Sequence, residues 1–88
     1  MSVRVHLPGA LARLEGVAPV LDVDVPGGDV EALIGSLDAL SPGVGHRLCD
    51  GGRLRRHVLV FVAREQADLD SPVRDGDEVR FVAAVAGG

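Results

Sequence analysis

Cysteine occurs once in these 88 residues, at Cys49. That excludes an internal disulfide framework and fits a reducing cytoplasm. Aromatic residues are almost missing, with two Phe and neither Trp nor Tyr, so bases would find no stacking platform. Positive charge is in deficit: 9 basic residues stand against 13 acidic ones, for a net charge of −4. A surplus of that sign repels phosphate backbones, and nucleic-acid binding is not expected. No apolar run approaches the roughly 20 residues of a membrane span. The N-terminus, Met1–His6, goes directly into a strand-like alternation and does not read as a signal peptide. The histidines His6, His46 and His57 fall in different segments without ligand spacing, so no metal site is expected. Paired carboxylates and Ser/His/Asp groupings are also missing, and the chain does not read as a catalyst.

What is present suits one small globular domain. The composition is 47% hydrophobic and 25% charged, which is enough for a modest core. Val3, Val5 and Leu7 alternate with Arg4 and His6, and Leu21, Val23 and Val25 with Asp22 and Asp24. The two stretches predict a hairpin of half-buried strands. Between them Ala10–Gly16 reads as a connector with at most a helical turn. Asp29 suits an N-cap, and Val30, Leu33, Ile34, Leu37 and Leu40 form an amphipathic helix stripe. The helix should stop near Ser41-Pro42-Gly43. A short turn over residues 44–49 would point Val44 and Leu48 inward and pack Cys49. Asp50-Gly51-Gly52 is turn chemistry. His57–Ala63 is the most apolar run and predicts a strand covered on both faces. Ala67 and Leu69 suggest a weak edge strand, and Val79, Phe81 and Val82 a final one. One helix crossing over a mixed sheet of four to five strands, with the first and last strands adjacent, is an α+β fold of the β-grasp type.

The chain ends on Asp75-Gly76-Asp77-Glu78-Val79 followed, after the last strand, by Ala83-Ala84-Val85-Ala86-Gly87-Gly88. Domain ends are usually polar. This one is thin, neutral and finished by two residues without Cβ, which let a partner approach a terminal carboxylate closely. The division expected is a β-grasp body over residues 1–82 and a flexible tail over 83–88.

These residues resemble the ubiquitin-like sulfur carriers of the ThiS/MoaD family. The resemblance runs through the opening hairpin, Val25-Pro26-Gly27-Gly28-Asp29-Val30 and Arg53-Leu54-Arg55-Arg56-His57-Val58. It is strongest in the Asp75-Gly76-Asp77 turn leading to Gly87-Gly88. Two departures stand out: the turn after the apolar strand, where the family usually has Asn-Gly, reads Ala63-Arg64-Glu65, and Ala83-Ala84 replaces a proline pair. The resemblance implies that a ubiquitin-activating-type adenylyltransferase uses ATP to adenylate Gly88, and that a sulfur donor displaces AMP to leave a thiocarboxylate. It implies an acceptor enzyme, such as the molybdopterin synthase large subunit or thiazole synthase, and no cofactor bound by the chain itself. Alternatives are the small-subunit role in molybdopterin synthase, a protein modifier joined to lysines through Gly88, and a binding module without chemistry.

Two contact surfaces are expected for the partners. One is the tail, with Ala83, Ala84, Val85, Ala86 and Gly87 threading a channel. The other follows from alternation: if Val58, Val60 and Val62 face the helix, Leu59 and Phe61 face outward beside Val82. An apolar patch there marks a docking site. The acidic set Asp68, Asp70, Asp75, Asp77 and Glu78 is read as a solvated turn region, or as a steering charge for a basic partner.

Overall fold

A computed structural model describes residues 1–83. Chain order is β1 (Ser2–His6), α1 (Gly9–Glu15), β2 (Val20–Asp24), α2 (Val30–Leu40), α3 (Pro42–Leu48), β3 (Cys49–Asp50), β4 (Arg53–Leu54), β5 (Val58–Val62), β6 (Glu65–Ala67) and β7 (Glu78–Ala83). Five strands form one mixed sheet in the order β2-β1-β7-β5-β6, and β3 pairs with β4 as a separate hairpin. The first and last strands run side by side in parallel, with Val5 level with Val79. The helices cover one face of the sheet, as the expected β-grasp requires.

Alternation decides that face. Val3, Val5, Val23, Val58, Val60, Val79 and Phe81 are all buried, and they join Ala12, Val30, Leu33, Leu37, Val44 and Leu48 in one core. Asp29 caps α2 by accepting from the Ala32 N–H at 2.9 Å, which satisfies a backbone donor the helix cannot use. The stripe stops one residue early: Leu40 is 65% exposed. The chain reverses at Ser41-Pro42, and Val44 and Leu48 of α3 fill the core instead.

Several local readings change. The Ala10–Gly16 connector is a true helix, closed by Gly16 in the left-handed conformation at φ 69° with its N–H on Arg13. The short turn after Pro42 is the seven-residue α3, and Cys49 stands beyond it at the start of β3. Ala67 pairs in β6, but Leu69 does not: the strand ends at Ala67. Leu69 lies in the following loop, packed against the core. Ala83, assigned above to the tail, is the last residue of β7 and pairs with Val58.

The loop after β6 is tied to the start of α2. Val30 and Glu31 N–H groups reach Ser71 and Leu69 carbonyls at 3.1 and 2.9 Å, and Val73 N–H reaches Gly28 at 3.0 Å. The Asp75-Gly76-Asp77 turn is structural as well as solvated. Asp75 accepts from Ser2 N–H at 2.7 Å, and Asp77 from Arg74 N–H at 2.8 Å. Gly76 N–H reaches Ser2, and Arg4 N–H reaches Asp77. These bonds set β1 against the start of β7.

The β5–β6 hairpin turns through Ala63 and Arg64 at φ 49° and 75°. Asn-Gly suits such a turn because glycine adopts this region freely, while other residues pay roughly 1–2 kcal/mol in steric strain. Changing Ala63-Arg64 to Asn-Gly should therefore raise stability by about 1 kcal/mol, a Tm gain of about 4–8 °C for a domain of this size. A thermal melt showing no gain would contradict the strain.

Candidate functional site

The face of the sheet away from the helices carries the residues that alternation points outward. Val58 and Val60 are buried and Val62 is half-buried, so Leu59 and Phe61 project to this open face, both half-buried. Leu59 lies opposite Val82, which is 36% exposed, and Phe61 lies opposite Arg80. Directly opposed side chains in a sheet approach within about 5 Å, so Leu59, Phe61 and Val82 form one apolar strip. Phe81 points the other way, into the core, at 2% exposure. The alternation is in the expected phase.

Beside the strip the face is ionic. Arg4 Nε donates to Asp22 Oδ1 at 3.2 Å, and His6 Nε2 donates to Glu78 Oε1 at 2.7 Å. Arg80 stands between the two regions, level with His6 on one side and Phe61 on the other. A concavity of about 640 Å³ opens next to Phe61, with Arg64, Arg80 and Glu78 on its walls. The surface therefore offers an apolar strip with a charged border. That arrangement suits a protein partner: the strip supplies desolvation and the border supplies orientation.

The His6 hydrogen bond holds the Glu78 carboxyl below the ordinary glutamate range, helped by the charges of His6, Arg80 and Arg4 against some desolvation. Because folding depresses this pKa, the interaction is fully present above the unfolded glutamate value and is lost as pH falls through the folded one. His6→Ala should move Glu78 back up toward an ordinary glutamate. An NMR titration of its side-chain carboxyl reads this directly, and an unchanged midpoint would contradict the pairing.

A second concavity, of about 490 Å³, lies where β7 ends. Leu11 and Leu14 of α1, Arg47 and His46 of α3, Arg55, His57 and Ala83 line it. Leu14 is 69% exposed. Arg47 Nε meets Glu15 Oε2 at 2.7 Å, and Arg55 Nε donates to the His46 carbonyl at 2.7 Å. The structure thus gathers His46, His57, Arg47 and Arg55 at the foot of the tail. Sequence spacing hides this cluster, because α3 and the approach to β5 meet only through the β3–β4 hairpin. Among the described residues no group of three His, Cys, Asp or Glu is placed to hold a metal ion. Burial, with the Glu31 charge, pushes the Cys49 thiol up, outweighing Arg55; a thiol so placed is a weak nucleophile.

Of the expected site residues, Leu59, Phe61 and Val82 share the open face, and Ala83 ends the central strand between that face and the groove. Ala84, Val85, Ala86, Gly87 and Gly88 lie outside the described residues. No helix among the described residues is long and apolar enough to cross a membrane.

Comparison with known proteins gives this geometry its relatives. The sulfur carrier protein CysO of Mycobacterium tuberculosis is 34% identical over a 95-residue alignment spanning 100% of both chains. The crystal structure of the Amycolatopsis orientalis BexX/CysO complex contains a chain with TM-score 0.84 and 29% identity, covering 98% of this chain and 99% of that one. Small archaeal modifier protein 1 of Haloferax volcanii superposes with TM-score 0.80 at 27% identity, over 96% of this chain and 98% of that chain. The ThiS family model matches residues 5–88, from β1 through the final glycines. The chain belongs to the ThiS family.

Proposed function

We propose that this chain is a sulfur carrier activated at Gly88. The supporting observation is the full-length similarity to sulfur carrier proteins, in a family match that runs to the last glycine. In this reading residues 1–83 are the recognition body, since Ala83 ends β7, and 84–88 are the tail. A carboxylate is a poor electrophile. A ubiquitin-activating-type adenylyltransferase first converts Gly88 with ATP to an acyl-adenylate, releasing pyrophosphate. A sulfur donor then displaces AMP, leaving a thiocarboxylate whose sulfur is a nucleophile near neutral pH. The acceptor is an enzyme of sulfur-containing cofactor or metabolite synthesis, such as the molybdopterin synthase large subunit or thiazole synthase.

The chain itself supplies the group and two surfaces. The strip of Leu59, Phe61 and Val82 docks the partner, and Ala84, Val85, Ala86 and Gly87 carry Gly88 from the end of β7 at Ala83 into its active site. Acids, bases, ATP and any metal belong to the partner. The work takes place in the cytoplasm.

The likeness to an archaeal modifier protein favours one second reading, conjugation of Gly88 to lysine amines of other proteins. Protein recovered from cells separates the two. A C-terminal thiocarboxylate supports the carrier; isopeptide-linked conjugates support the modifier. An inert Gly88 carboxylate under sulfur-demanding growth would oppose both.

A further inference from the structure

All nine basic residues of this chain are arginine, and there is no lysine. Several of the arginines stand close to where the tail begins. Arg47 and Arg55 line the same groove as Ala83. Arg56 lies two residues before Val58, the residue paired with Ala83, and is exposed. Arginine and lysine carry the same charge but differ as nucleophiles. A guanidinium stays protonated and delocalised throughout the physiological range. A lysine amine, ordinarily near pKa 10.4, keeps an uncharged fraction of about four in ten thousand at neutral pH. Tethering makes such a fraction count, since a short linker holds its end at effective concentrations on the order of millimolar.

One amine remains, the α-amino group of Met1. The structure occupies it: it donates to the Val25 carbonyl at 2.8 Å and lies 3.5 Å from Asp24 Oδ1. It is also far from the tail. The parallel register sets Arg4 level with Glu78, which puts Met1 level with Asp75 at the opposite end of β7 from Ala83. At about 3.3 Å per residue that separation is roughly 26 Å. The residues after Ala83 extend at most about 18 Å.

We infer that this amine-free surface determines the specificity of acyl transfer: the activated Gly88 meets no amine of its own chain and survives until an external nucleophile arrives. This rests on the activation proposed above. The reaction it excludes is amide formation. An uncharged amine nitrogen would attack the Gly88 carbonyl carbon of the acyl-adenylate, and a C–N bond would replace the C–O bond to AMP. AMP would leave with the bonding electrons, and the amine proton would pass to water. The same feature confines any conjugation to single copies, because an attached copy offers no lysine to the next.

The test compares the full chain with Arg56→Lys and Arg47→Lys after incubation with ATP and the activating adenylyltransferase, without a sulfur donor. Pyrophosphate release reports activation, and intact mass reports amide products one water lighter than the free acid. All three chains should release pyrophosphate. The lysine variants should form cyclised or dimeric amide at least about tenfold above the unmodified chain, and the two variants, in different elements, guard against a folding defect in either. Pyrophosphate release without amide in either variant, or with amide in the unmodified chain, would overturn the inference. No pyrophosphate from any chain would overturn the activation reading and this inference with it.

Discussion

Phe81→Ala should lower the free energy of unfolding by about 3–5 kcal/mol. Phe81 is 2% exposed and heads the fully buried side chains by volume. It sits on β7, between β1 and β5, opposite Val60. Truncation removes the ring's burial and leaves a cavity that the flanking strands cannot close without breaking their ladders. Domains of this kind are stable by about 5–15 kcal/mol in total, so the variant should lose about a fifth or more of its stability. Urea titration followed by circular dichroism measures this. A loss below about 1 kcal/mol would mean that Phe81 is not the centre of the core.

Phe61→Asp should leave the fold intact and weaken docking of the activating enzyme by about 30-fold or more, the effect of losing a side chain worth about 2 kcal/mol at an interface centre. Phe61 is half-buried on the open face, so a polar group there can remain solvated, and Arg80 stands opposite to receive the charge. Phe81 and Phe61 are offset by a single register position across the same strand pair, yet one substitution should act on stability and the other on binding. Only the side of the sheet differs. The measurement pairs a thermal melt with titration of the adenylyltransferase against adenylation rate. Unchanged adenylation and binding by a folded Phe61→Asp protein would remove the strip from the docking surface.

The main architecture was legible wherever periodicity was long. The 2-residue alternation of Val3-Val5 and Leu21-Val23-Val25 placed β1 and β2, and Asp29 with Val30, Leu33, Ile34 and Leu37 placed α2. The phase of Val58-Val60 and Leu59-Phe61 located the open strip. The misread parts are short. α1 and α3 have seven residues each, too few for a helical stripe, and they are held by Gly16, Pro42 and tertiary contacts rather than by propensity. β3 and β4 have two residues each and exist because Gly51 and Gly52, at φ 59° and 79°, reverse the chain tightly. Leu40 kept the right spacing but lost its place to Val44 and Leu48. The acidic turn concealed most, since Asp75 and Asp77 look like surface charge until their backbone partners are seen. The basic groove also depends on contacts between segments distant in sequence, and no local pattern announces those.

The chemistry proposed for Gly88 is tested most directly by intact mass. The full chain and a version ending at Gly87 are incubated with ATP, a ubiquitin-activating-type adenylyltransferase and a sulfide source. The full chain should gain the mass of sulfur replacing oxygen, confined to its C-terminal peptide, and the shortened chain should gain nothing. No gain in the full chain, with several such enzymes each shown active on its own carrier, would contradict activation at Gly88 and leave this protein a binding domain.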